Sequence, residues 1–295
     1  MSGERDGLAR SVQVKLTRHA KEIGADPNLL MMRFAVERFL YRLSCSAHAE
    51  RFVLKGALLM LARLGNTFRP TRDADLLGFG ELTEVELANI VRDLCQIEVA
   101  QDAVIFLAET LRVEPIRAED AYGGMRVTLV AMLGAARLRV QVDVGIGDAV
   151  IPAPTWLDYP GLIEDFPNPR LRAYATETVI AEKFHAMVML GLRNSRLKDY
   201  FDLHAIARAG GTRVEVVGDA IAATFQRRQT ALPTQLPVGL SDVFAQDPDK
   251  LTQWKAFLSK NRLIAPPLEM VIAEIRQFIE APLAVALAKQ KRELT

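Results

Sequence analysis

The stretch Arg69-Pro-Thr-Arg-Asp-Ala-Asp-Leu-Leu carries Asp73 and Asp75 with a single residue between them. In an extended strand side chains alternate faces, so both carboxylates emerge on one side, close enough to hold one divalent cation. Two hard oxygen ligands of this kind suit Mg²⁺. Such a pair is the front half of a two-metal phosphoryl-transfer site. Taken by itself the pattern also describes two solvated aspartates at a strand end. Its surroundings add weight. Some way upstream, Arg51-Phe-Val-Leu54, then Lys55-Gly56, then Ala57 to Ala62 read as strand, tight turn and helix. Backbone N–H groups at such a helix start cradle phosphates, and Lys55 adds a positive charge there. The plainer alternative is a surface lysine at an ordinary glycine turn.

A third carboxylate follows in Val140-Gln-Val-Asp143-Val-Gly. Alternation places Gln141 and Asp143 on one face and Val140, Val142 and Val144 on the other. An aspartate in a buried strand is costly unless it is paired or bound to metal, whereas on a solvated sheet face it needs no explanation. Three aspartates on two neighbouring strands beside a phosphate-cradling turn suggest nucleotidyl transfer. Charge and in-line positioning carry most of the acceleration in such chemistry, and no base with a special pKa is required.

The second cluster is Ala181-Glu-Lys-Phe-His-Ala-Met followed by Asn194-Ser-Arg-Leu-Lys-Asp-Tyr-Phe-Asp-Leu. Lys183 lies at the edge of a helical stripe of Ile180, Phe184, Met187 and Val188. Lys198, Asp199 and Asp202 group on the next helix through i,i+3 and i,i+4 spacing. A lysine–aspartate pair tying two helices together explains these residues. A functional reading has Lys183 reach a nucleotide triphosphate across a domain cleft, with Asp199 holding or orienting it. The histidines His19, His48, His185 and His204 show no ligand spacing. Trp156 and Trp254 read as packing residues. Arg227-Arg228 and the pair Arg193 and Arg196 read equally as solvated helix ends or as contacts to a phosphate backbone.

The elements that position these groups are legible as periodicities. Residues 8–22, 28–45 and 83–95 read as amphipathic helices. In the second, Leu29, Leu30, Met32, Phe34, Ala35, Phe39, Leu40 and Leu43 form an apolar face, with Arg33, Glu37, Arg38 and Arg42 between them. Residues 73–79, 110–116, 124–132 and 137–146 read as strands, the last two as an antiparallel hairpin around Gly134-Ala135. Prolines 152, 154, 160, 167 and 169 crowd the next stretch and mark a domain boundary. Helices are expected over 177–191, 196–209, 213–226, 251–259 and 267–289. The division is therefore 1–165, N-terminal helices and an α/β core, and 166–295, a helical domain.

The formal net charge is +1, with a balance of −4 over residues 1–165 and +5 over 166–295. This excludes a strongly basic nucleic-acid binder and makes the second half the better candidate for meeting a polyanion. Cys45 and Cys95 have no paired spacing and read as buried thiols of a reducing compartment. No apolar run approaches the ~18 residues of a membrane span, and the first residues lack the apolar core of a signal peptide. The expectation is a soluble, cytoplasmic protein.

Taken together, Phe52-Val-Leu-Lys-Gly-Ala, Arg69-Pro-Thr-Arg-Asp-Ala-Asp-Leu-Leu, Gln141-Val-Asp-Val and the Lys183 and Asp199 segments resemble the ordered motifs of the AbiEii/AbiGii-type nucleotidyltransferase toxins. The similarity runs over roughly residues 30–260. The resemblance implies a polymerase-β-like nucleotidyltransferase core with a small mixed sheet, an α/β (α+β) architecture, followed by a C-terminal helical domain. It implies transfer of a nucleotide from an NTP with Mg²⁺, and tRNA, through its 3′ end, as the acceptor, which blocks translation. It also implies a cognate antitoxin protein. Matched by motif, Lys55 and Gly56 form the phosphate-binding turn, Asp73 and Asp75 the metal pair and Asp143 the third carboxylate, while Lys183 and Asp199 are the later motif residues. One departure is Gly56-Ala57, where many nucleotidyltransferases carry Gly-Ser or Gly-Gly. Two rival readings remain: transfer to a small molecule or protein hydroxyl, and a non-catalytic nucleotide-binding interaction protein.

Overall fold

The computed structural model describes residues 2–65, 70–116 and 123–293, so Arg69 and Asn66 of the sequence reading lie outside the described residues. The described chain falls into two compact units. The first takes 2–65, 70–116, 123–147 and 155–173, and the second takes 148–154 and 174–293. The two units thus part at 173/174, where the sequence reading divides the chain at 165/166. The reason is a short strand, Arg170–Ala173, that pairs in parallel with Phe52–Lys55 and so joins the first unit.

Ten α-helices and a seven-stranded mixed sheet occur among the described residues. The first unit opens with α1 (Ser2–Glu22) and α2 (Pro27–Ser44), then β1 (Phe52–Lys55), α3 (Gly56–Leu64), β2 (Ala74–Gly78) and α4 (Glu84–Gln96). The strands β3 (Val104–Pro115), β4 (Gly124–Leu133), β5 (Ala136–Ile146), β6 (Thr155–Asp158) and β7 (Arg170–Ala173) follow. The sheet runs in the order β3-β4-β5-β2-β1-β7-β6. β2 lies parallel to β5 and antiparallel to β1. This central placement gives the site its geometry.

Local sequence explains most of these elements. Asp26 caps α2, its carboxylate accepting from Asn28 N at 2.9 Å, with Pro27 in the first turn. Thr83 caps α4 by accepting from Glu86 N at 3.1 Å. In β4 and β5 the apolar set Met125, Val127, Leu129, Ala131, Leu138, Val140, Val142 and Val144 is buried on one face, as alternation requires. The two strands are closed by Gly134-Ala135, with Gly134 at φ +57°, a conformation glycine adopts without strain. The link is two residues rather than the four of the sequence reading, because both strands extend to meet it.

Three of the charged residues between the apolar positions of α2 are buried: Glu37, Arg38 and Arg42 are 1%, 0% and 2% exposed. Arg42 offsets its burial by donating from Nη1 and Nη2 to Asp102 (2.8 and 3.3 Å) and to the carbonyls of Arg38 and Val104, and from Nε to the carbonyl of Ile97. Three expectations are corrected. Neither cysteine is a fully buried thiol: Cys45 is exposed at the end of α2 and Cys95 is half-buried, which still pushes its pKa up to about 11. β3 begins at Val104, well before residue 110, and shifts register between Leu107 and Arg112. Trp156 does not pack into the core; it is 47% exposed on β6.

The regular elements of the second unit are α5 (Thr176–Leu190), α6 (Leu197–Ala209), α7 (Val214–Arg227), α8 (Asp242–Ala245), α9 (Pro248–Asn261) and α10 (Leu268–Glu293), with short 3₁₀ turns between. Ile180, Phe184, Met187, Leu203, Ile206, Ile221, Phe225, Ile272 and Ile275 are buried among them. α7 lies close against α10 at Gly218, where a Cβ would sit 2.6 Å from the Val285 side chain and 2.9 Å from the Pro282 carbonyl. Trp254 is buried here and donates to the Pro266 carbonyl at 3.1 Å, a packing role. No helix among the described residues is long and apolar enough to cross a membrane.

Candidate active site

Four neighbouring strands of the first unit bring four charged residues into one row. Lys55 at the end of β1 faces Asp75 of β2, Asp75 faces Asp143 of β5, and Asp143 faces Arg126 of β4. Residues directly opposite one another on paired strands share a face, with neighbouring strands about 4.8 Å apart. The row therefore reads positive, negative, negative, positive across the sheet. Asp73 stands at a bend immediately before β2, so it is placed by the chain's entry to the strand rather than by strand alternation. Its carboxylate still belongs to the neighbourhood, because both Asp73 and Asp75 act electrostatically on Arg126.

The Lys55-Gly56 turn does something the sequence did not show. Gly56 has φ +69°, and a Cβ placed on it would fall 1.9 Å from Asp75 Oδ2 and 2.5 Å from its Cγ. The Asp75 carboxylate thus lies directly over Gly56, at the start of α3. A negative charge is favoured there by the helix dipole. The missing side chain is required both for backbone angle and for space. Gly56→Ala is expected to displace Asp75 and to cost about 1–3 kcal/mol from the strained conformation. Urea unfolding together with a pyrophosphate-release assay checks both effects.

Asp143 is held by a residue outside the sequence reading. Arg126 donates from Nε to Asp143 Oδ1 at 2.8 Å and from Nη2 to Oδ2 at 2.7 Å, the planar fork of a bidentate pair. Gln141 donates to Asp143 Oδ1 at 3.4 Å. The hydrogen bonds to Asp143 hold the Arg126 guanidinium above its ordinary pKa against opposing burial, and the charges of Asp143, Asp73 and Asp75 add to the effect. A signal for Arg126 did exist. Counting outward from Gly134-Ala135 pairs residue 126 with residue 143, so the hairpin register predicts an arginine opposite this aspartate.

The second cluster lies within the helical unit. Lys183 Nζ of α5 donates to Asp199 Oδ1 at 2.8 Å and to Asp202 Oδ2 at 2.7 Å, both on α6. Arg196 Nε lies 2.8 Å from Asp199 Oδ2 as a charge contact without hydrogen-bond alignment, since that oxygen has no hydrogen-bond partner. Both aspartate side chains are 1% exposed and Lys183 is 12% exposed. Burial disfavours the Lys183 ammonium, yet the two carboxylates outweigh it and raise its pKa. Burial likewise opposes Asp199, and Lys183 with Arg196 reverses the sign and lowers it. These contacts are those of a lysine–aspartate staple between two helices.

A pH dependence follows. Asp199, depressed below its ordinary 3.8, contributes stability above that value and loses it as pH falls through the lower folded-state pKa. Lys183, raised above 10.5, contributes below that value and loses it as pH rises through the higher one. Chemical-denaturation midpoints of the second unit are expected to be level between these limits and to fall below about pH 4. The fall is expected to shrink in Asp199→Asn.

His185 carries no such charge. Arg228 Nη1 lies 3.1 Å from His185 Nδ1, and an arginine has only donors, so Nδ1 accepts. Nε2–H then donates to Thr230 Oγ1 at 3.0 Å, and the imidazole is neutral. The histidine is 8% exposed, a buried structural group.

A model of the family described as the nucleotidyl transferase AbiEii toxin of type IV toxin–antitoxin systems matches residues 38–281. The chain belongs to this family. The AbiEii match spans β1, β2, β4 and β5 together with α5 and α6, and so covers both clusters. Membership in a type IV system carries with it a cognate antitoxin partner. Among solved structures, JHP933 from Helicobacter pylori is similar at 15% identity, over 91% of this chain and 97% of that one, with a TM-score of 0.48. A second H. pylori structure, described as a candidate nucleotidyltransferase, is similar at 14% identity over 90% and 98%, also with a TM-score of 0.48. No curated protein matches the chain.

The resemblance to AbiEii toxins brought Mg²⁺ with it, and the residues can be tested for it. Among the described residues, no group of three or more His, Cys, Asp or Glu side chains is placed to hold a metal ion. Mg²⁺, however, is commonly held by one or two carboxylates plus substrate phosphates rather than by a complete protein cage. The donor set fits that mode. Asp73, just before β2, and Asp75, within it, offer half-buried hard oxygen donors, and a guanidinium already serves as the cation beside Asp143.

Proposed function

We propose that this AbiEii-family chain is a Mg²⁺-dependent enzyme that moves a nucleotide from an NTP to a hydroxyl of RNA, with the tRNA 3′ end first among acceptors, and so arrests translation. The observation that carries the reading is the in-register row of Lys55, Asp75, Asp143 and Arg126. On a polymerase-β-like core, carboxylates beside a helix start are where a triphosphate and its counter-ion would be gathered. Asp73 and Asp75 would hold the ion. Bound there, Mg²⁺ supplies neutralisation of the triphosphate charge. Lys55 adds a positive group at the start of α3, where free N–H donors favour anions.

In the transfer, the acceptor oxygen forms a bond to the α-phosphorus, the bond from that phosphorus to the bridging oxygen breaks, and pyrophosphate leaves. The acceptor proton goes to solvent. This chain's residues orient and balance charge, which is where most of the acceleration in phosphoryl transfer lies. For Lys183 and Asp199, the resemblance suggests a part in nucleotide use, while their contacts describe a helix staple. Both roles are compatible with a lysine that keeps its charge.

The test is incubation of the purified chain with each α-labelled NTP, Mg²⁺ and total RNA, then with a protein extract, reading label transfer and pyrophosphate together. Label on RNA, lost on chelation of the metal, supports the proposal. Label on protein alone moves the acceptor. Nucleotide binding with no pyrophosphate from any acceptor would establish the non-catalytic reading instead.

A further inference from the structure

We infer that Arg126 is an exchangeable counter-ion: it pairs with Asp143 and transfers its guanidinium to the nucleotide's triphosphate once a divalent cation reaches the carboxylates. The inference rests on the functional reading above and assigns a further positioning residue to the same site.

The geometry has three parts. First, Arg126 covers both oxygens of Asp143, at 2.7 and 2.8 Å, so the carboxylate's best-aligned lone pairs are spent on an arginine. A cation approaching Asp143 must compete with that fork. Second, the arginine is free to leave by its surroundings. Its side chain is 42% exposed, against 19% for Asp143, so the aspartate is the fixed member and the guanidinium has room to turn. Asp143 also keeps the 3.4 Å contact from Gln141 when the fork opens. Third, the fork stands at one end of the row whose middle is Asp143 and Asp75, with Asp73 close enough to act on it. The guanidinium balances part of the negative charge of these carboxylates.

The released group is suited to what arrives next. A guanidinium presents paired N–H donors matched to phosphate oxygens, which an ammonium cannot reproduce. Arg126 and Lys55 then flank the carboxylates from β4 and β1, one at each end of the row.

The experiment uses the full chain and Mn²⁺ as the probe, with binding followed by electron paramagnetic resonance, in wild type, Arg126→Gln and Arg126→Lys. An opposite charge within a few ångströms changes a carboxylate's affinity for a proton by about one to three powers of ten, and competition with a metal is expected on the same scale. Arg126→Gln is therefore expected to bind Mn²⁺ at least about tenfold more tightly. In the same variant NTP is expected to bind about tenfold more weakly, the scale of a lost charge-assisted hydrogen bond. Arg126→Lys, which keeps the charge without the fork, is expected to leave Mn²⁺ affinity near wild type and to recover part of the NTP binding. The opposite signs in Arg126→Gln are the signature, since a merely structural pair would lower stability and move both affinities together. Unchanged or weaker Mn²⁺ binding by Arg126→Gln, with its circular dichroism intact and wild-type transfer normal, overturns this inference and leaves the functional reading standing. Absence of Asp75-dependent Mn²⁺ binding in wild type overturns both.

Discussion

Asp75→Asn is expected to cut nucleotidyl transfer by about a thousandfold or more, the scale on which an electrostatic contact to a reacting centre is felt, with the fold intact. The reason is position. Asp75 stands in register between Lys55 on one side and Asp143 on the other. Its carboxylate also lies against Gly56 at the start of α3. Asparagine has nearly the same shape, so it fills the space over Gly56, but it brings no negative charge for an ion to meet. The check is pyrophosphate release and growth inhibition on induced expression, with circular dichroism to show the fold. A fully active Asp75→Asn chain would remove the proposed chemistry.

The second large effect is on stability. Lys183→Met is expected to destabilise the helical unit by about 3–5 kcal/mol, because it removes the ammonium from which both buried carboxylates accept. Asp199 and Asp202 are each 1% exposed, and both accept from the same ammonium. The triple variant Lys183→Met, Asp199→Asn, Asp202→Asn is expected to recover much of the loss, since removing all the charges together also removes the uncompensated ones. Urea midpoints of the single and triple variants decide this. Equal, small changes in both would show that the staple contributes little. A chain whose midpoint is unchanged in Lys183→Met while NTP use weakens would make the lysine a nucleotide contact instead.

Much of the fold was legible because it is written in local periodicity. α2, α4, α5, α6, α7 and α10 follow apolar spacings within a few residues, and β4 and β5 follow strict alternation about Gly134-Ala135. What failed did so for physical reasons. β6 and β7 are four residues each, too short for a period to declare itself and flanked by prolines that read as a boundary. The depth of the α2 charges was not legible, because a charged residue in a helix shows its burial only once its partner is known. For Arg42 the partner is Asp102, far along the chain.

The candidate site divides in the same way. Residue type and alternation put Asp143 opposite the Val140, Val142 and Val144 face, and residue type made Asp73 and Asp75 candidates for a pair of hard ligands. Those properties belong to the chain itself. That β2 lies between β5 and β1, bringing Asp75 beside both Asp143 and Lys55, was decided by tertiary structure. So was the seating of Asp75 over Gly56 and the closing of Lys183 onto Asp199 and Asp202. A strand's period determines which face a side chain takes but not which strand stands next to it. That choice comes from contacts between residues distant in sequence, and those contacts set the neighbours of every charge in the row.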